Sequence, residues 1–194
     1  MKRFLKQLAN VISVILVIPW LIVYRIYLLI LGQDRAVQWL SQRASRWPGV
    51  FGEYLRRSAL RYVLEDVADD VVISFGTIFS HRQVRIERGV YIGAYCVIGK
   101  AHIGADTLIA DSVMIPSGKH QHNFERADIP IKQQSGRLET IYIGQDCWIG
   151  SNATILANIA SHCIVSAGSL VREPTNEYEI IAGNPAKVVG KRKN

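Results

Sequence analysis

The segment "IPSGKHQHNF", residues 115 to 124, places two histidines two residues apart in a polar interruption of an isoleucine-rich run. Imidazole is the side chain that changes charge nearest neutral pH. His120 or His122 can therefore take a proton from a weak nucleophile, ligate a metal, or simply stand on an exposed loop. The three cysteines, Cys96, Cys147 and Cys163, are odd in number and lack CxxC spacing. They indicate neither a disulfide framework nor a zinc ribbon, and a reducing compartment fits. Cys147 adjoins Trp148, yet nothing nearby resembles the Cys-His pair of an acyl-cysteine chemistry, so it reads as inert. The elements on either side of the histidines must decide their role.

With 194 residues and 49% hydrophobic content, the chain has material for one compact domain plus an appendage. A formal charge of +7 suits nucleic acid, a membrane surface or an anionic ligand, and its placement separates them. Lys2, Arg3 and Lys6 precede an apolar stretch, Arg25 lies inside it, Arg35, Arg43 and Arg46 follow it, and Lys191, Arg192 and Lys193 lie at the tail. No RNP motif, zinc finger or stacking platform accompanies them, which argues against nucleic acid. The stretch "VISVILVIPWLIVYRIYLLIL", residues 11 to 31, has about the length of a bilayer-spanning helix and lacks a signal peptide's small-residue cleavage site. Residues 1–33 are expected to anchor the chain in membrane lipid. Pro19 and Arg25 leave a full crossing and a bent, re-entrant segment both open. Residues 34–66 read as an amphipathic helical connector. "DRAVQWLSQRASRW" stops before Pro48, and Tyr54, Leu55, Ala59, Tyr62 and Val63 recur at helical spacing with basic residues opposite, a face suited to an anionic bilayer surface.

From about residue 67 the pattern changes to a period of six. Ile86, Ile92, Ile98; Ile103, Ile109, Ile115; Ile143, Ile149, Ile155; and Ile159, Val165, Val171 form four trios with a step of six residues, separated by breaks of five, twenty-eight and four. Ile73 and Phe79 suggest an imperfect earlier coil. Neither an amphipathic helix nor an alternating strand has this period. A unit of short strand plus turn directs one aliphatic residue inward, and three units close a triangular coil. Stacked coils then set isoleucine on isoleucine while their backbones pair as parallel strands. Gly93, Gly99, Gly104, Gly144 and Gly150 follow the aliphatic residue where a side chain would crowd the bend. The predicted fold is all-β, a parallel β-helix over 67–194 with an α-helical N-terminal extension, and the longest break is a loop at 116–142 that holds both histidines.

Two stretches, "IYIGQDCWIGSNATIL" and "SAGSLVREPTNEYEIIAGNPAKVV", are similar to the IGxxxWIGxxxxI coil and the GAGSxV run with AGNPAKV terminus of the hexapeptide-repeat acyltransferases. The resemblance covers roughly residues 67 to 191 and is greatest to CoA-dependent O-acetyltransferases of sugars, polysaccharides and antibiotics. It implies a left-handed β-helix, acetyl-CoA as donor, no metal, and a homotrimer that binds CoA between subunits. It also implies that the long loop carries the catalytic histidine. Counting back from His120 to Ile103 reproduces the family spacing without a gap, whereas His122 needs a two-residue shift, so His120 is the expected general base. Ser151, after the WIG motif, is implied as the oxyanion donor. Trp148, Gly150, Ser151, Ala167 and Lys187, with Lys191 as a further lysine, are implied as CoA-binding residues.

The chain departs from the family pattern at Arg172 and Glu173, where relatives often have Thr-Lys. It also departs in the shortened coil between Ile155 and Ile159, and in "GAY" at 93–95, where acceptor-binding asparagines are common. A competing likeness is to β-helix carbonic anhydrases, with His81, His102, His120 and His122 as the available zinc ligands. The HxH spacing and the CoA-type terminus argue against it. The expected function is transfer of an acetyl group to a hydroxyl of a sugar, a lipid-linked or surface-polysaccharide precursor on the cytoplasmic side of the inner membrane. N-acylation of a nucleotide-linked amino sugar and a non-catalytic scaffold are the alternatives.

Overall fold

The computed structural model describes residues 2–193; Met1 and Asn194, the outer ends of the expected anchor and β-helix, lie outside the described residues. Three helices lead, α1 (Lys2–Leu31), α2 (Gln33–Ser45) and α3 (Gly49–Arg61). The chain then winds into triangular coils. The first is β1 (Asp66–Val67), β2 (Val72–Ile73) and β3 (Ile78–Phe79), and the second is β4 (Val84–Ile86), β5 (Tyr91–Ile92) and β6 (Val97–Ile98). The third is β7 (Ala101–Ile103), β8 (Leu108–Ile109) and β9 (Met114–Ile115), and the fourth is β10 (Ile141–Ile143), β11 (Trp148–Ile149) and β12 (Thr154–Ile155). The fifth has only a bridge at Ile159 before β13 (Ile164–Val165) and β14 (Leu170–Val171), and a hairpin of β15 (Glu179–Gly183) and β16 (Ala186–Lys191) ends the stack.

The coils pair in parallel along three faces, here A, B and C in winding order. On face A, Ile86 registers with Ile103 and Ile103 with Ile143, which bridges to Ile159. On face B the column is Ile73, Ile92, Ile109, Ile149, Val165 and Ile181. Phe79, Ile98 and Ile115 continue on face C to Ile155 and Val171. Every repeat position is buried, so the six-residue period is the core of the molecule. Gly144 shows why glycine follows the aliphatic position: a Cβ there would lie 2.4 Å from the Ser161 nitrogen of the next coil. The left-handed backbone conformation falls instead on corner residues such as Asp106, Asp146 and Asn152, a residue class that tolerates it. The long loop is two residues shorter than expected. Ile141 already pairs with Ala101 and Tyr142 with His102, so the excursion spans 116–140.

A parallel stack leaves an open edge of backbone groups at each end. At the C-terminal end β15 adds to face B and β16 pairs antiparallel on β15. At the N-terminal end α2 and α3 cover the open edge, and this changes the expected character of residues 34–66. Arg56 and Arg57, which the sequence pattern places on the basic face expected at a bilayer surface, are buried, and Tyr62 is exposed. Arg56 Nε donates to the Ile73 carbonyl at 2.7 Å and its Nη1 to the Trp47 carbonyl, while Arg57 Nη1 donates to the Val71 carbonyl at 2.9 Å. Ser41 Oγ accepts the Phe79 N–H at 2.6 Å. Guanidinium groups are buried here because the coil edge supplies the acceptors that water would otherwise provide. Arg56→Met is expected to lower unfolding stability by about 2–5 kcal/mol, since two enclosed carbonyls lose their donor. The check is a denaturant titration in which the midpoint falls with little change in slope.

Helix α1 continues unbroken through Pro19 and packs on α2 and α3 through Ser13, Val17 and Tyr24, with Tyr27 stacked on Trp39. Residues 6–31 are long and apolar enough to cross a membrane.

Candidate active site

The excursion at 116–140 leaves the corner between faces C and A as two limbs stitched together. Arg137 N–H donates to the His120 carbonyl at 2.7 Å, Glu139 N–H to that of Ser117 at 2.8 Å, and Asn123 N–H to that of Ser135 at 2.9 Å. The limbs meet at Gly136, where a Cβ would fall 1.9 Å from the Gln121 carbonyl oxygen. Lys119 fixes the excursion to the last coil through Glu173 at 3.0 Å and the Arg172 carbonyl at 3.3 Å. Thus the residues that replace the family's Thr-Lys hold the histidine loop in this chain.

His120 is half exposed, and its Nδ1 stands 3.5 Å from a Glu139 carboxylate oxygen. Arg137 bonds the same carboxylate, and that bond, with His120 adding to it, holds the Glu139 carboxyl below the ordinary range. Glu139 therefore stays anionic at neutral pH and is placed to orient the His120 ring. His122 is exposed and has no charged partner within the described residues. A cavity of about 440 Å³ adjoins the root of the loop, lined by Lys119, Arg137, Glu139, Asn158 and Arg172 among others. Glu139→Gln is expected to reduce turnover about tenfold, short of losing the base itself. The loss should fall on turnover with the Michaelis constant for acetyl-CoA unchanged, which steady-state rates at saturating acceptor measure.

The residues implied for the donor stand elsewhere in the same chain. Gly150, Ser151 and Ala167 come together at the corner between faces B and C, where a Cβ on Gly150 would lie 2.5 Å from the Ala167 nitrogen and Gly168 N–H donates to the Ser151 carbonyl at 2.8 Å. Trp148 projects from face B beside this corner, 54% exposed. The β15–β16 turn brings Lys187 to the same side, since Gly183 N–H bonds Ser169 Oγ at 3.2 Å and Lys187 pairs with Ala182. Lys191 does not join them: it pairs with Glu179 at the opposite end of the strand, roughly 13 Å away at about 3.3 Å per residue. His120 and Ser151 thus occupy different corners of one β-helix.

His102 lies on face A at 2.8 Å from Glu87, His81 at 3.2 Å from Asp34, and His162 at 3.0 Å from Asp146. Among the described residues no three His, Cys, Asp or Glu side chains of one chain are close enough to hold a metal ion. Burial pushes the Cys147 thiol up to about 11, which keeps it protonated and unreactive at neutral pH. Glu139, Arg137 and the Lys119–Glu173 pair were not found from the sequence; their roles depend on how the loop closes.

The stacked columns, short strands and three faces define a left-handed parallel β-helix of hexapeptide repeats. Residues 140–172 match the family described as the hexapeptide repeat of succinyl-transferase. The chain is 35% identical over 123 residues, 60% of its length, to WbbJ of Escherichia coli (strain K12), named for an O-acetyl transferase of lipopolysaccharide biosynthesis, and the match covers 61% of that protein. In fold it resembles a maltose O-acetyltransferase from Clostridium difficile 630, with TM-score 0.70, 18% identity and coverage of 86% of this chain and 89% of that one. It also resembles galactoside acetyltransferase in complex with coenzyme A, with TM-score 0.69, 20% identity and coverage of 81% and 80%. The likeness to hexapeptide-repeat acyltransferases therefore holds in sequence and in fold. The chain spans about three fifths or less of the length of the curated relatives it matches.

Proposed function

We propose that the protein transfers an acetyl group from acetyl-CoA to a sugar hydroxyl, with His120 as general base. The observation that carries this reading is the His120–Glu139 pair on a loop anchored to a β-helix whose next corner bears the Trp148, Gly150, Ser151 and Ala167 constellation. Neutral His120 takes the hydroxyl proton as the oxygen attacks the thioester carbonyl carbon. The carbon–sulfur bond breaks, and the imidazolium returns the proton to the departing thiolate. Ser151 supplies a donor to the developing oxyanion. Trp148 and Lys187, both exposed, offer apolar contact and positive charge to the donor along one edge.

The separation of His120 from Ser151 supports a site completed between subunits of a homotrimer. So does the surface: outward positions of faces B and C carry exposed Leu108, Trp148 and Met114, whereas face A carries Arg85, His102 and Tyr142. Attachment of α1 to a membrane favours a lipid-linked or surface-polysaccharide precursor as acceptor, on the cytoplasmic side of the inner membrane. The test is incubation of the full chain with acetyl-CoA and lipid-linked or nucleotide-linked sugars, with the product identified by mass. A hydroxylamine-labile acetyl ester is the expected product. A stable amide would instead assign N-acylation, and neither transfer nor CoA binding would leave a scaffold.

A further inference from the structure

We infer that α1 lies along one leaflet of an anionic phospholipid bilayer instead of crossing it; this rests on the membrane-bound reading above. At 100° per residue, Val11, Ile15, Ile18, Ile22, Ile26 and Leu29 fall within one narrow stripe of the helix, and each is between 46% and 87% exposed. Within residues 11–31 the helix half around this stripe is otherwise apolar, and Arg25, exposed and about 60° from the stripe's centre, is its one charged residue. Such a surface is far larger than a soluble monomer leaves bare.

The opposite half of α1 decides the orientation. It is bound to protein through the middle of the apolar stretch. Asn10 Oδ1 accepts from Arg57 Nη2 at 2.6 Å, Ser13 and Ser58 hydroxyls meet at 2.7 Å, and the Arg43 guanidinium lies 4.3 Å from the Trp20 ring centroid. Arg57 also grips the Val71 carbonyl, and Ser41 the Phe79 N–H, so the first β-helix coil belongs to the same packed unit. A crossing α1 would draw Arg43, Arg57 and this coil edge toward the bilayer centre, where charges and non-helical backbone are excluded. A lying α1 immerses only its aliphatic half, about 5–10 Å deep, and keeps the rest in water.

Charge agrees with this placement. Residues 1–62 hold ten Lys and Arg against two Asp and Glu, whereas residues 63–194 hold thirteen against fourteen. The positive excess of the whole chain is thus carried by the unit that shows the aliphatic face, and it stays net positive without the buried Arg56 and Arg57, as attraction to anionic headgroups requires.

The test places single nitroxide-labelled cysteines at Val11, Ile15, Ile22 and Leu29 of the full chain, whose native cysteines are buried. The labelled chains are bound to vesicles of phosphatidylcholine with phosphatidylglycerol. All four depths are expected to agree within a few ångströms, roughly 5–10 Å below the phosphates. A crossing helix would spread them over about 27 Å along its axis. Graded depths therefore overturn the in-plane inference alone, while failure to float with any vesicle overturns the membrane reading with it. Binding should strengthen at least about tenfold when phosphatidylglycerol is included. Ile15→Glu with Ile22→Glu should abolish flotation at an unchanged melting midpoint. A variant that still floats but changes oligomeric size would show the face to be a subunit contact and overturn the inference.

Discussion

Replacing His120 with alanine is expected to lower the turnover of acetyl transfer about 10²- to 10⁴-fold, the range for removing a positioned general base. Folding and donor binding should survive. The side chain is half exposed with Glu139 as its charged partner among the described residues, and its backbone carbonyl, which holds the loop limbs through Arg137, is retained by any residue. The loss should therefore fall on turnover more than on the Michaelis constant for acetyl-CoA, because the base acts on the acceptor hydroxyl as charge develops. His122→Ala is the control. Two residues along the same limb, exposed and without a carboxylate at hand, it should transfer acetyl groups at close to the parental rate. A folded His120→Ala protein of undiminished turnover would remove the assignment. Steady-state rates at saturating acceptor, with circular dichroism on each variant, make the comparison.

The fold was legible because its rule is local. Each inward residue is specified by the one six places on, so the Ile103, Ile109, Ile115 trio and its neighbours announced their columns before any pairing was known. Ile73 and Phe79 were visible as an extra coil for the same reason, and Val67 completes it on face A. The count from Ile103 to His120 could be made from sequence because that spacing lies within continuous coil up to the root of the loop. What stayed hidden depends on closure between distant segments. Glu139 reaches His120 only because the limbs of the excursion pair, and Glu173 reaches Lys119 across fifty-four residues. A helical hydropathy pattern sends arginine to solvent, so it could not report that Arg56 and Arg57 would be drawn under a coil edge with unpaired carbonyls. Lys191 looked equivalent to Lys187 until the turn at Asn184 and Pro185 reversed the chain and carried it to the far end of the strand.

Two inactive variants should restore one another if the proposed site is shared between chains. Ser151→Ala is expected to reduce turnover about 10²- to 10³-fold by removing an oxyanion donor, and His120→Ala reduces it through the base. The corner between faces C and A presents His120, and the corner between faces B and C presents Ser151. In a closed three-fold ring, one subunit's loop corner meets its neighbour's donor corner. Co-refolding equal amounts of the two variants gives each junction about a one-in-four chance of joining an intact loop to an intact donor corner, so roughly a quarter of the parental activity should return. That recovery would stand at least about 25-fold above either variant alone, and it should vanish when the two are mixed without refolding if subunits do not exchange. Were each site complete within one chain, every subunit in the mixture would still carry a lesion, and no recovery would occur at any ratio. Activity against mixing ratio, maximal at equal amounts, therefore measures whether the two corners of one β-helix serve two different sites.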